Sequence, residues 1–370
     1  MATFIDIHVL QTVPPSNLNR DDTGSPKTAV FGGVRRARVS SQAWKRAVRA
    51  DFQSTFDPQE LGERTLIVAN QVADKISELD PALADQALDL AVRTISQAGV
   101  KISMKDFKSE GEVISRPQTG ALLFASRPQI EALARLAIAN PDEAPAKKDA
   151  QQALRDGVTV DVALFGRMIA DAPELNVDAC AQVAHALSVH AVDTEYDYFT
   201  AVDDNAPEGN AGAGMIGTVE FNSSTLYRYA TLNVDEFVDT LGSVEVAARG
   251  AGEFVRSFVR SMPTGKQNTF ANRTLPEVVL LVVRGDQPVN LVGAFEEPVE
   301  SLDGRATAAT KRMLDRFEEI QAVYGGQPKN MVALAVGKPG SAFEAAGLPA
   351  STLEDLVTAA ADAVRASREG

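Results

Sequence analysis

The 370-residue chain predicts an α+β fold. Three observations lead there. Strand-like and helix-like segments follow one another without regular alternation, which disfavours a doubly wound sheet. A long run, 52–155, is mostly helical and interrupts them. A glycine- and alanine-rich stretch, Asn205 to Gly217, separates two strand-like segments and reads as the end of a protruding β-hairpin.

The elements follow in order. "TFIDIHVLQTV" alternates from Phe4 onward, with Ile5, Ile7 and Val9 on one face and Asp6, His8 and Leu10 on the other, and predicts a strand. "PPSNLNRDDTGSPKT" is nearly all turn formers. "AVFGG" and "VRRARVS" predict short strands around a glycine turn. Ser40 or Ser41 then caps the helix "SQAWKRAVRADF". On that helix Gln42, Lys45, Arg46 and Arg49 share one face, opposite Trp44, Ala47 and Val48. Helices from Glu63 to Gly99 are broken at Asp80-Pro81. "ALLFAS" predicts a strand and "RPQIEALARLAIAN" a helix, with "PDEAPAKKD" a linker. "VTVDVALFGRM", Val158 to Met168, alternates and predicts a strand, and "AQVAHALSVHAV" favours strand over helix. Strands through "FTAV" and "MIGTVEF" flank the glycine-rich stretch. Two helices, "VDEFVDTLG" and "VEVAARGAGEFVRSFVRSM", precede a polar loop, "PTGKQNTFANRT". "EVVLLVVRG" predicts a buried strand, Ala306 to Gln321 a helix, "MVALAV" a strand and "STLEDLVTAAADAVRAS" an amphipathic helix.

Charge is unevenly distributed. The formal net charge is −14, yet Thr23 to Ala50 holds seven basic residues (Lys27, Arg35, Arg36, Arg38, Lys45, Arg46, Arg49) and no acid. A solvated helix face is the commonest fate of a charge run. This window lacks the interleaved glutamates that solvated basic helices carry, and it adds Gly-Gly, Ser and Gln, which are backbone-phosphate contact types. It therefore predicts a phosphate-binding patch.

Other chemistries find little support. Three histidines and one cysteine cannot build a zinc finger of the usual spacing, and no cofactor site is expected. "GKQ" at Gly265 has Arg260 where a P-loop needs its first glycine, and Gln267 where it needs Ser or Thr. The pairs Asp21-Asp22 and Asp203-Asp204 are weak metal signatures, because adjacent strand residues point to opposite faces. The single cysteine excludes an internal disulfide. "MATFIDIHVL" lacks the features of a signal peptide, and no run approaches ~20 apolar residues, so a cytoplasmic location without membrane association is expected.

Ordered blocks carry a family resemblance: "IDIHVL", "LNRDD", "AVFGG", "RRARVSSQ", "WKRAVR", "VDVALFGRM", "AHALSVHAVDTEYDYFTAVDD", "GTVEFNSSTLYRYA" and "GKQNTFAN". They reach from residue 4 to about 272 and resemble the CasC family, the backbone subunits of the type I-E CRISPR surveillance complex Cascade. The resemblance implies a right-hand shape. An RRM-like (ferredoxin-like) palm would span 1–51 and 156–370, helical fingers 52–155, and a β-hairpin thumb 199–219. It implies no catalysis. The partners it implies are crRNA, target DNA, head-to-tail copies of the chain in a helical filament, and the large, small, 5′-handle-binding and crRNA-processing subunits. By motif position, Arg20, Lys27, Arg38, Ser40, Gln42, Lys45, Arg46, Arg49, Arg167, Met168, Lys266 and Gln267 would contact the guide. Phe199, Thr200, Val202, Met215 and Ile216 would act at the thumb, near a displaced base. Val34 stands where the family commonly has another basic residue. The alternative is a metal-dependent ribonuclease acting through Asp21 or Asp22, as in related backbone subunits that cleave RNA; a remoter one is a basic helix that docks an acidic partner.

Overall fold

The computed structural model describes residues 2–109, 112–201, 215–302 and 304–369. In chain order the strands are β1 Phe4–Ser16, β2 Thr28–Phe31, β3 Val34–Val39, β4 Gly62–Thr65, β5 Ile102–Ser109, β6 Glu112–Thr119, β7 Leu123–Ser126, β8 Ala181–Val183, β9 Ala186–Ser188, β10 Glu195–Ala201, β11 Met215–Asn233, β12 Val278–Arg284 and β13 Asn330–Ala335. The helices are α1 Ser41–Phe52, α2 Val68–Leu79, α3 Ala87–Gln97, α4 Arg127–Ala139, α5 Lys147–Arg155, α6 Val160–Phe165, α7 Val234–Leu241, α8 Val244–Arg260, α9 Gln267–Phe270, α10 Arg305–Tyr324, α11 Gly340–Ala345 and α12 Leu353–Ala366. The chain divides into two compact units. Met1–Phe52, Gln182–Val234 and Ala248–Gly370 form the first, and Gln53–Ala181 with Asp235–Ala247 the second.

The first unit is organised by one sheet in the order β13-β12-β1-β11-β9-β3-β2, with β8 and β10 also on β11. Its centre is antiparallel: β1 pairs with β11 from Phe4↔Asn233 to Val13↔Ser224 and with β12 from Phe4↔Arg284 to Leu10↔Val278. The alternation in β1 is real, but both faces are buried. Leu10 joins Tyr227, Leu280, Phe295, Met313 and Phe317 in a core to which α10 contributes. On β12 every residue is buried, as its unbroken apolar run requires.

The polar face of β1 is satisfied internally. His8 Nδ1 lies 2.9 Å from the Tyr227 hydroxyl, and the Tyr229 hydroxyl donates to Asp6 Oδ1 at 2.9 Å. Asp6 Oδ2 accepts the Val289 N–H at 2.9 Å. Burial pushes the Asp6 carboxyl up to about 6 and the His8 imidazole down to about 3.

The second unit packs α2, α3, α4 and α5 around Val72, Ile76, Leu90, Ile95 and Leu133. Ser126 and Gln129 close a reciprocal capping box on α4. Within this unit β5 and β6 form a hairpin and β4 pairs with β7. The strand expected at Val158 to Met168 is instead the helix α6, ended by Gly166 at φ 73°. All six residues of α6 are buried, so the polar positions carry no solvent face to read. Asp161, which made the pattern alternate, accepts the Gly62 N–H at 2.9 Å and the Thr159 hydroxyl at 2.8 Å. The polar loop expected at "PTGKQNTFANRT" contains the short helix α9, with Lys266 and Ala271 left-handed at its ends. Among the described residues no helix is long and apolar enough to cross a membrane.

The buried pair gives opposed pH dependences. Unfolded His8 takes up a proton near 6.5 and folded His8 only near 3, so acidification through that window costs stability. Folded Asp6 takes up its proton near 6 and unfolded Asp6 near 3.8, so acidification there adds stability. His8→Gln should therefore gain stability relative to the native chain between pH 7 and 4.5. Asp6→Asn should lose it, each by up to about 1.4 kcal/mol per pH unit. Urea unfolding across that range measures both, and three parallel profiles would refute the account.

Candidate nucleic-acid interface

The basic window forms one ledge on the first unit, built from the sheet outward. Its foundation is α1, whose buried stripe is Trp44, Val48 and Phe52. The Arg228 guanidinium lies 3.8 Å from the Trp44 ring and 4.6 Å from the Phe258 ring. It donates to Gln11 Oε1 at 2.6 Å and to the Phe258 carbonyl. With that face fixed inward, Gln42 and Arg46 stand exposed on the opposite side and Lys45 and Arg49 lie half-buried on the flanks. Ser40 is buried at the helix start, where its carbonyl accepts the Ala43 N–H at 3.0 Å.

The loop after β1 is sewn to this helix. Asn19 Oδ1 accepts the Ser40 N–H at 2.9 Å, and the Asn19 carbonyl accepts the Lys27 N–H at 2.8 Å. Arg38 N–H donates to the Lys27 carbonyl at 2.9 Å. Asn17 Nδ2 donates to the Gly24 carbonyl at 3.0 Å and to the Glu220 carbonyl on β11 at 2.9 Å. Arg20 bridges to Pro26 and is exposed.

A third segment joins at Gly265, where a Cβ would run into the Leu18 carbonyl. Only glycine permits that approach, and it brings half-buried Lys266 and exposed Gln267 to the loop. Phe270 of α9 contacts Phe221 of β11, ring centroids 5.7 Å apart, at the foot of the β10–β11 hairpin. In that hairpin Phe199 pairs with Gly217 and its ring lies over the glycine, while Thr200 pairs with Ile216 and Ala201 with Met215. Val202 lies outside the described residues.

Electrostatically, part of the ledge has no counter-charge. Among the described residues, Arg20, Lys27, Arg38, Arg46 and Lys266 enter no ion pair. Arg38 donates instead to the Thr28 carbonyl at 3.2 Å and approaches His185 Nδ1 at 3.1 Å. The exposed His185 is held below its ordinary pKa by desolvation, then by Arg38 and Lys27, so it stays neutral at pH 7. Asp21 Oδ1 accepts from the Thr23 hydroxyl at 2.7 Å, the Thr23 N–H at 3.0 Å and the Ser25 N–H at 3.0 Å. Its carboxylate closes its own turn, and the Thr23 hydroxyl first of all keeps it below the usual range. Among the described residues no three metal-ligating side chains cluster.

The expected contact by Arg167 needs correction. In the second unit this side chain is 4% exposed, and its guanidinium donates to Leu175 O at 3.1 and 2.9 Å, Leu154 O at 2.8 Å and Gln129 Oε1 at 2.9 Å. Burial lowers it to about 10, still charged, with its donors spent on the chain. Met168 beside it is 77% exposed. "GRM" thus combines an anchor with a displayed side chain.

Sequence reasoning missed Asn17, Asn19, Arg228 and Gly265. Only Arg228 left a signal: a lone cation inside the apolar strand "TLYRYATL" must be buried among aromatic or carbonyl partners.

Comparison with known proteins places the chain in a family. The family model described as CT1975-like protein matches residues 5–359. A solved chain described as "CRISPR RNA-guided surveillance complex, pre-nicking" is 33% identical, with TM-score 0.84, covering 97% of this chain and 100% of that one. Another, described as "CRISPR RNA-guided surveillance complex", is 29% identical, with TM-score 0.75, covering 97% and 99%. No curated protein matches the chain.

The two neighbours in "GRM" should respond differently to truncation. Arg167→Ala strands buried carbonyls and should cost roughly 2–4 kcal/mol of stability. Met168→Ala should change the unfolding midpoint little. Equal effects in a denaturant titration would contradict the assignment of anchor and display.

Proposed function

The chain belongs to the CT1975-like, CasC-type family, and from that premise we propose that it is a non-catalytic crRNA-binding backbone subunit of a type I-E Cascade complex in antiviral defence. The first unit is read as an RRM-like palm, the second as helical fingers, and the β10–β11 hairpin as a thumb. The observation that carries the reading is the ledge of uncompensated cations: Arg20, Lys27, Arg38, Arg46 and Lys266 on one unit of an acidic chain.

The chemistry suits a guide. Spacers differ in sequence, so a backbone subunit must hold phosphates and leave bases free to pair with target DNA. Lysine and arginine supply that contact without a base code, and apolar side chains beside them need only a π-face. Copies stacked head-to-tail along crRNA as a helical ribonucleoprotein filament multiply a weak single-site affinity, alongside the large, small, 5′-handle-binding and crRNA-processing subunits. A cytoplasmic location follows from this role.

Counterion release provides the test. The double variant Arg20→Ala/Arg46→Ala should lower the log–log salt slope of single-stranded RNA binding by about 1.4, at roughly 0.7 per phosphate. An unchanged slope would overturn the interface.

A second measurement separates scaffold from nuclease. Complementary RNA incubated with the assembled complex and Mg²⁺ should stay intact. Periodic cuts abolished by Asp22→Ala would replace the scaffold reading with a ribonuclease.

A further inference from the structure

Beneath the ledge lies a cavity of about 20 Å³, walled by Ser16, Asn19, Lys27, Arg38, Asn222 and Ser224 among others. Asn222 sits on β11 opposite Ser16, at the point where the β1–β11 register shifts after Val13. Its side chain is 7% exposed, yet its Nδ2 meets no hydrogen-bond partner among the described residues. Native proteins pair nearly all buried donors, so a bare one beside a cavity is informative.

The remaining walls define what fits. The volume admits one water-sized group. Lys27 and Arg38 are among its lining residues and enter no ion pair among the described residues. The occupant is therefore small, accepts a hydrogen bond and tolerates or carries negative charge. Resting on the interface argued above, we propose that this cavity is a subsite for one oxygen of the sugar–phosphate backbone, received by Asn222 Nδ2. A non-bridging phosphate oxygen and a ribose 2′-hydroxyl both offer that acceptor. A neutral amide adds affinity and register where the cations of the ledge add only attraction.

Because an amide displaces no counterion, its loss is separable from loss of charge. The test uses the full chain and a single-stranded oligouridine, with binding measured across salt. Asn222→Ala should weaken binding about five- to twentyfold with the salt slope unchanged. Asn222→Ser, which keeps a donor, should recover part of the loss, and both variants should keep the native melting profile. Repeating the titration with the 2′-deoxy strand identifies the oxygen. A penalty that disappears assigns the 2′-hydroxyl, and one that persists assigns a phosphate oxygen. Binding by Asn222→Ala within twofold of the native chain, while Arg20→Ala/Arg46→Ala still lowers the slope, would overturn the subsite and leave the interface standing. If that double variant also leaves the slope unmoved, both fall.

Discussion

The indole of Trp44 against the guanidinium of Arg228 is the contact on which the basic ledge depends. A helix that gathers Lys45, Arg46 and Arg49, with Asp51 at its end as its one acid, repels itself and has no intrinsic reason to lie flat on a sheet. Burial of Trp44, Val48 and Phe52 supplies that reason. Arg228 fixes the rotation, because its flat cation is held on β11 by Gln11 and by the Phe258 carbonyl and offers one face to the indole. Burial lowers its pKa to about 9, so it remains charged at neutral pH and the cation–π contact persists. Everything outward of that contact, from Gln42 to Arg46, inherits its position.

The same device recurs inside the chain. Arg36 is fully buried and donates to the carbonyls of Phe31, Ser188, Phe295 and Glu296. Arg167 does likewise with Leu154 and Leu175. In each case the partners are carbonyl dipoles, not carboxylates. A carboxylate partner would bring a second desolvated charge that must be paid for. Carbonyls satisfy the planar fork while the net positive charge stays. Basic residues in the ledge window thus divide into two populations: those that bind the chain to itself, such as Arg36, and those left for something else, such as Arg46.

That division explains what the sequence could and could not reveal. Strand β1, the buried strand β12 and helix α4 were legible because periodicity or an unbroken apolar run maps directly onto burial. Helix α6 was not, because a fully buried helix has no polar face, and its one acid, Asp161, is satisfied from β4. The ledge was legible as a charge anomaly. Arg167 was placed wrongly since nothing local distinguishes an arginine that faces a ligand from one that faces carbonyls supplied by Leu154 and Leu175. Asn19 and Gly265 act through partners far away in sequence, so no window of the chain announces them.

A chain at net −14 that carries such a ledge sets affinity by geometry. Carboxylates farther away than the ~8–10 Å over which exposed charges act at physiological salt are screened from it. They scarcely weaken a strand seated on the ledge, but they disfavour one approaching any other surface. Five separate cations also share the work without any one dominating, so a polyanion must run along the ledge to engage them together. A small anion touching one or two gains little. The ledge is thereby suited to an extended strand, and long-range attraction alone cannot fix where along it such a strand would stop.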